Sequence, residues 1–384
     1  MRNFTYHNPT RIVFGKGAIA QLSRLIPADK KILMTYGGGS IKANGVYDQV
    51  KTALQGRALA EFGGIEPNPR YETLMKAVEL SRGQGIGFLL SVGGGSALDG
   101  TKFIAAAIEY QGPEPWDILE RGAEVKRAAP LGAVLTLPAT GSEMNPTAVI
   151  SRESTKQKLA FSSPHVQPRF SILDPETTFS LPRRQTLNGI VDAFIHVTEQ
   201  YLTFDVNSPL QDRQAEAILR TLIEEGPKVL KNPQDYEARA NVMWCATQAL
   251  NGLIGCGVAQ DWATHMIGHE LTALYGIDHG ASLGVLYPAV LRHQRKRKAA
   301  KILQYAERVW AIRAGKKKQR IEKAIRKTER FFNRLGMATR LKDYGIAEGL
   351  EQVGERLEQR GMRLGEHEDI GRAEVDEILA LCKA

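Results

Sequence analysis

Short apolar runs recur through the first 180 positions, each interrupted by glycine, proline or charge. Arg11–Phe14, Ile32–Tyr36, Leu59–Phe62, Phe88–Val92, Leu131–Leu137 and Phe170–Leu173 read as strands. Their near-continuous apolar character suits strands covered on both faces, as in a parallel sheet. Val46–Gln55 and Tyr71–Arg82, lying between such runs, read as helices. This alternation predicts βαβ units. Val149–Phe161, with polar Ser151–Lys158 between apolar ends, predicts a hairpin. Beyond L-D-P-E-T-T-F-S-L-P the period lengthens. Arg183–Tyr201, Leu210–Glu224, Tyr236–Leu253, Ala263–Tyr275 and Leu283–His293 read as long helices, with Pro175 and Pro182 punctuating the change. The pattern predicts an α/β domain over 1–180 and an all-helical domain over 181–384. No repeat of fixed period and no low-complexity segment interrupts it.

Two strand-like runs end in the same tetrapeptide. Gly37, Gly38, Gly39 and Ser40 follow the first; Gly93, Gly94, Gly95 and Ser96 follow the second, with Asp99 three residues on. Strand, glycine turn and helix start is the geometry that aims backbone N–H groups at a phosphate. Glycine suits it because a diphosphate approaches the backbone closely and the turn calls for positive φ. Neither G-x-G-x-x-G nor G-x-x-x-x-G-K-[ST] is present, so two ordinary tight turns remain the plainer alternative.

The predicted helical half carries a second kind of chemistry. Only eight histidines occur in the chain, yet His265, His269 and His279 crowd one stretch. Asp192 and His196 stand four apart, on one face of a helix. An Asp–His pair at this spacing is commonly a local ion pair. Here the neighbours are apolar or small: Ile190, Val191, Phe194 and Ile195 in one segment, Trp262, Met266, Ile267 and Leu271 in the other. Buried Asp and His need partners. Asp192, His196, His265 and His279 form a candidate ligand set for a divalent transition metal. A nucleotide held by the first domain, facing a metal held by the second, would be a natural arrangement.

Composition narrows the classes. Three widely spaced cysteines, Cys245, Cys256 and Cys382, make no C-x-x-C pair and fit a reducing compartment. The first ten residues lack an apolar signal core, and no segment has the apolar length of a membrane span. The expectation is a cytoplasmic protein without a membrane partner. The net charge is +9, concentrated between Arg292 and Arg334, where seventeen Lys or Arg face three Glu. No aromatic residues interleave the clusters for base stacking. The block reads as the solvated face of amphipathic helices, with Ile302, Leu303, Val309, Ile312, Ile321, Ile325 and Phe332 turned inward, and not as a nucleic-acid surface.

Taken together, F-G-K-G-A, G-G-I-E-P-N-P (63–69), G-G-G-S-A-L-D (93–99), T-L-P-A-T-G-S-E (136–143), D-A-F-I-H (192–196), H-M-I-G-H-E-L (265–271) and D-H-G (278–280) resemble the iron-containing (group III) alcohol dehydrogenases. The likeness is to the NADP-dependent aldehyde reductase and butanol dehydrogenase branch, and it spans essentially the whole chain. It implies a Rossmann-like N-terminal domain with a mostly parallel sheet, then an all-helical C-terminal domain, as in dehydroquinate synthase. It implies a homodimer and one divalent metal, iron or zinc. The family's ligands match Asp192, His196, His265 and His279; His269 matches a histidine near the metal that is not a ligand. Its pyrophosphate loop matches Gly93 to Ser96, with Asp99 toward the nicotinamide. Thr136, Leu137, Thr140 and Ser142 match a second nucleotide-contacting stretch.

Cofactor choice has a physical argument as well. An acid after an early strand would bind the ribose 2′-hydroxyl and repel a 2′-phosphate. After Ile32–Tyr36 there is none, only Gly37–Ser40 and then Lys42. NADP(H) is therefore expected over NAD(H), with Lys158 placed by the resemblance to assist. The expected reaction interconverts aldehydes and primary alcohols, with the metal as Lewis acid, His269 as proton relay and Asn145 touching substrate. The alternatives are a polyol dehydrogenase or a dehydroquinate-synthase-like lyase of the same fold.

Overall fold

The structure is a computed structural model and describes residues Met1–Lys383. Its strands are β1 (Arg11–Phe14), β2 (Ile32–Tyr36), β3 (Leu59–Phe62), β4 (Phe88–Gly94), β5 (Leu131–Leu137), β6 (Thr147–Arg152), β7 (Gln157–Ser162) and β8 (Phe170–Leu173). The helices of the first half are α1 (Leu22–Leu25), α2 (Ser40–Ala43), α3 (Val46–Ala53), α4 (Tyr71–Gln84), α5 (Gly95–Glu109) and α6 (Asp117–Glu120). Those that follow are α7 (Arg183–Tyr201), α8 (Pro209–Lys231), α9 (Tyr236–Ala249), α10 (Ala263–Tyr275) and α11 (His279–Gln294). The chain closes with α12 (Ala299–Arg308), α13 (Lys317–Leu335), α14 (Glu351–Gln359) and α15 (Arg372–Lys383).

Two compact units emerge. One comprises His7–Pro182 and Pro233–Thr247; the other comprises Met1–Tyr6, Arg183–Asn232 and the chain from Gln248 onward. In the first, a six-stranded sheet runs β1–β8–β5–β4–β2–β3 with every pairing parallel. The inner strands β2, β4, β5 and β8 are mostly apolar and buried because both faces are covered, while the edge strands β1 and β3 are partly exposed. Leu33, Leu89 and Ala133 point into a core shared with α4 and α5. Ile32, Met34, Phe88, Leu90 and Val134 point the other way, toward Val46 and Val50 of α3. The predicted hairpin forms as β6–β7, antiparallel from Thr147↔Ser162 to Arg152↔Gln157.

The second unit is helical. Its α11 is buried along most of its length and packs against α7, α10, α13 and α15. Along the chain, three helix limits differ from the sequence reading by four or more residues. Helix α8 continues past Glu224 to Lys231 with Pro227 inside it; its buried Leu222, Gly226 and Val229 keep packing where proline removes one donor. Helix α9 stops at Ala249 rather than Leu253, and there Asn251 Oδ1 turns the chain by accepting Leu253 N. Helix α11 begins at His279 rather than Leu283.

The basic block is only partly solvated. Ile302, Ile321, Ile325 and Phe332 are buried as expected, but so are Lys298 and Lys301. Lys301 pairs with Asp212, and Arg292 with Glu329. Among the described residues, no helix is long and apolar enough to cross a membrane.

Candidate functional site

In the helical unit, α7 presents Asp192 and His196 on one face, α10 presents His265 and His269, and His279 opens α11. Glycine lets these helices meet. A Cβ at Gly280 would lie 2.7 Å from the Asn188 carbonyl of α7, and one at Gly268 would lie 3.0 Å from Leu283. Asp278, just before α11, is held by Arg184 and Asn188. His279 is thereby fixed against α7.

Three imidazoles converge on one oxygen. Asp192 Oδ1 lies 3.6 Å from His196 Nδ1, 3.6 Å from His265 Nε2 and 3.7 Å from His279 Nε2. Donor atoms of Asp192, His265 and His279 all lie within 4.8 Å of one another. His196 stands beside them, its ring stacked on His265 at 4.5 Å between centroids, but outside that mutually close trio. His269 is also buried, its ring 5.3 Å from that of His279.

The donors fit a divalent transition metal. His265 Nε2 is buried and makes no hydrogen bond in the protein, a costly state for a polar atom unless something binds it. On the other side of that ring, Nδ1 meets Glu199 Oε2. Burial alone would lower the His265 pKa; the carboxylates of Glu199 and Asp192 outweigh burial and push it up to about 9. A field that favours a proton this strongly also favours a cation competing for the same nitrogen.

The α/β unit assembles the nucleotide candidates around the end of β4. Gly93 and Gly94 belong to the strand and Gly95 starts α5. The expectation of positive φ holds at Gly39, with φ +98°, and not at Gly37, Gly38 or the second run. In that second run the need is close approach. A Cβ at Gly93 would lie 2.7 Å from Ala97, at Gly94 2.9 Å from Leu137, and at Gly95 2.6 Å from Thr140. Thus Leu137 and Thr140 of the second predicted stretch pack directly on the glycine run. The ladder slips here as well, with Gly93 opposite Leu135 but Gly94 opposite Leu137.

Behind this loop lies a buried polar network. Asp99 accepts from Ser142 Oγ at 2.6 Å and from Val149 N at 2.9 Å. Lys102 Nζ donates to Ser142 Oγ, Asn145 O and Thr147 O, each at 2.8 Å, and to Asn145 Oδ1 at 3.2 Å. Asn145 Oδ1 also accepts from Thr147 N. The Asn145 amide expected at the substrate, and both oxygens expected of Asp99 at the cofactor, are engaged inside the fold. Burial pulls Lys102 down to about 8, against Asp99 and Glu143, and raises the Asp99 and Glu143 carboxyls. Lys158 is buried in β7 and donates to Asn68 Oδ1 at 2.8 Å, while Asn68 N donates to Ser96 Oγ at 3.3 Å.

Glu199, Lys102 and Asn68 escaped the sequence reading. Glu199 lies one turn beyond His196 on the same helix face. Lys102 is a lone charge beside F-I-A-A-A, which signals a buried partner. Asn68, between two prolines, has φ 58°, a conformation asparagine tolerates better than most residues.

Residues 9–175 match the family model for iron-containing alcohol dehydrogenase, and residues 186–384 match the C-terminal model of the Fe-containing alcohol dehydrogenase family. The chain is 59% identical over 374 residues to the NADPH-dependent aldehyde reductase YqhD of Escherichia coli, covering 96% of this chain and 97% of that one. It is 43% identical over 385 residues, 99% of each chain, to a Bacillus subtilis protein described as probable NADH-dependent butanol dehydrogenase 1. A crystal structure of E. coli YqhD aligns at a TM-score of 0.98 and 57% identity, covering 100% of this chain and 99% of that one.

Proposed function

The chain belongs to the iron-containing alcohol dehydrogenase family, and we propose that it interconverts small aldehydes and primary alcohols with NADP(H) and one divalent metal. The observation that carries this reading is the convergence of three imidazoles on Asp192 Oδ1 at 3.6–3.7 Å. Asp192, His265 and His279 would hold the cation, with His196 alongside. When bound, the cation supplies Lewis acidity toward a carbonyl or hydroxyl oxygen, and the nicotinamide supplies the hydride.

The remaining work belongs to the chain itself. His279 is the most exposed of the four, with 22% of its side chain accessible, so substrate would approach from its side. A ring nitrogen of His269 would carry the proton gained by the product oxygen. Gly93–Ser96 and the first turn of α5 would take the pyrophosphate on backbone N–H groups. Relatives differ in coenzyme by their descriptions, NADPH in the E. coli protein and NADH in the B. subtilis one. Here Gly37–Ser40 carries no acid to repel a 2′-phosphate, and Lys42 follows on α2; this favours NADP(H). Aldehyde reductase and butanol dehydrogenase are described for relatives spanning nearly the full chain, which favours them over the polyol and lyase readings.

The test is oxidation of NADPH by butanal, before and after chelation and with Fe(II) or Zn(II) restored. Activity that disappears and returns is expected. Inactivity with both NADPH and NADH under either metal would overturn the reading. NADH turnover as efficient as NADPH turnover would overturn the coenzyme preference alone.

A further inference from the structure

We propose that Glu199 is a positioning residue for the metal centre, fixing His265 in the tautomer that presents Nε2 to a divalent cation. The inference rests on the metal-centre reading above. Glu199 is buried on α7, one turn beyond His196. Its two oxygens have separate tasks. Oε1 accepts Thr264 N at 2.7 Å, in the first turn of α10, and Oε2 meets His265 Nδ1. Its backbone carbonyl accepts Asp261 N at 2.9 Å. Asp261 Oδ1 in turn accepts Ala263 N at 3.0 Å, and Asp261 Oδ2 pairs with Lys298 at 2.7 Å. The start of α10 is therefore pinned at residues 261, 263, 264 and 265.

A carboxylate accepts hydrogen bonds and cannot donate them. The ring nitrogen facing Glu199 must therefore carry the proton. A neutral imidazole protonated at Nδ1 leaves the Nε2 lone pair bare. That atom is the one buried without a hydrogen bond, 3.6 Å from Asp192 Oδ1. Glu199 thus selects the ligating nitrogen and holds the ring's plane.

The isosteric variant Glu199→Gln separates this role from simple packing. The amide oxygen is needed by Thr264 N, so the NH2 group faces His265 Nδ1. That nitrogen must then accept, which moves the imidazole proton to Nε2 and blocks the ligating atom. The measurements, at one fixed pH, are Co(II) and Zn(II) affinity of the apoprotein by chelator competition, the visible absorption of the Co(II) form, the apoprotein's thermal midpoint, and NADPH binding without metal.

The expected result for Glu199→Gln is metal affinity weakened about 10–100-fold and an altered Co(II) spectrum, in a variant that still folds and binds NADPH like the parent. Parental affinity and spectrum in Glu199→Gln would overturn the proposal. If that variant does not fold, Glu199→Asp decides, since it keeps the charge but withdraws the oxygen from Nδ1; parental affinity there would overturn the proposal equally. A parent protein that binds neither metal would sink the metal-centre reading itself, and the inference with it.

Discussion

Both units bury lysines, and Lys298 and Lys102 are held in opposite ways. In the helical unit Lys298 Nζ bridges Asp261 at 2.7 Å and Glu366 at 2.6 Å and donates to Leu202 O. In the α/β unit every atom that Lys102 Nζ donates to is neutral: a hydroxyl, two backbone carbonyls and an amide oxygen. Burial lowers both pKa values, but two bonded carboxylates reverse the effect at Lys298, which is raised, while Lys102 falls to about 8. Burial alone does not set a lysine's charge; the bonded partners do.

Substitution should separate the two most sharply. Lys298→Met leaves Asp261 and Glu366 buried together without a cation, so it should cost about 3–5 kcal/mol of stability, read by urea unfolding. Lys102→Met strands neutral acceptors instead, and should cost about 1–3 kcal/mol. It should also weaken NADPH binding, measured by fluorescence titration, because the segment that follows Thr140, the residue packed on Gly95, loses its anchor at Ser142 and Asn145. Equal losses for the two lysines would remove the distinction between them.

The pH dependence gives the next largest effect. Above a folded-state pKa of about 8 and below the ordinary value of 10.5, the unfolded chain binds a proton at Lys102 that the folded one does not. Stability therefore rises with pH across that window, with a slope of at most about 1.4 kcal/mol per pH unit. Lys298 has the opposite sign: its contribution is fully present below 10.5 and is lost as pH rises from there through its raised pKa. Urea unfolding at pH 8 to 10 should show the Lys102 slope in the parent and lose it in Lys102→Met; an identical slope in the variant would assign it to other groups.

The smallest effect sharpens the contrast within the α/β unit itself. Gly95→Ala places a Cβ 2.6 Å from Thr140, an overpacking worth about 1–3 kcal/mol, and should raise the KM for NADPH. Gly38→Ala meets nothing within 4 Å and should change stability by less than about 0.5 kcal/mol. Similar stability losses in both would mean that the two G-G-G-S runs share one structural demand.

The element plan was largely legible. Strands β1, β2, β3, β5 and β8 fall where the apolar runs lie, and α7 and α10 where the helical spacing does, because strands buried on both faces and long amphipathic helices write their periods into the chain. Asp192, His196, His265 and His279 were legible as a candidate ligand set because acid and imidazole at helical spacing in apolar surroundings need partners; the structure brings donor atoms of Asp192, His265 and His279 within 4.8 Å of one another. Glu199 was not singled out: it lies one turn beyond His196 on the same helix face, but its partner, the back of the His265 ring, comes from another helix. The R-K-R-K run was misread at Lys298, because its two carboxylates come from positions 261 and 366, far away in sequence.

By itself, then, the sequence determined the order of elements, the parallel character of the sheet and the residue types able to bind metal and nucleotide. Periodicity and composition act over a few residues, and these properties need no more than that. Only the tertiary structure decided that three imidazoles meet at one oxygen of Asp192, that Glu199 faces the back of His265, that Gly93–Gly95 serve close packing rather than positive φ, and that burial lowers the pKa of Lys102 while carboxylates raise that of Lys298. Each of these depends on close contacts between groups from separate elements. Such distances are set when helices and strands pack, and no local pattern in the chain encodes them.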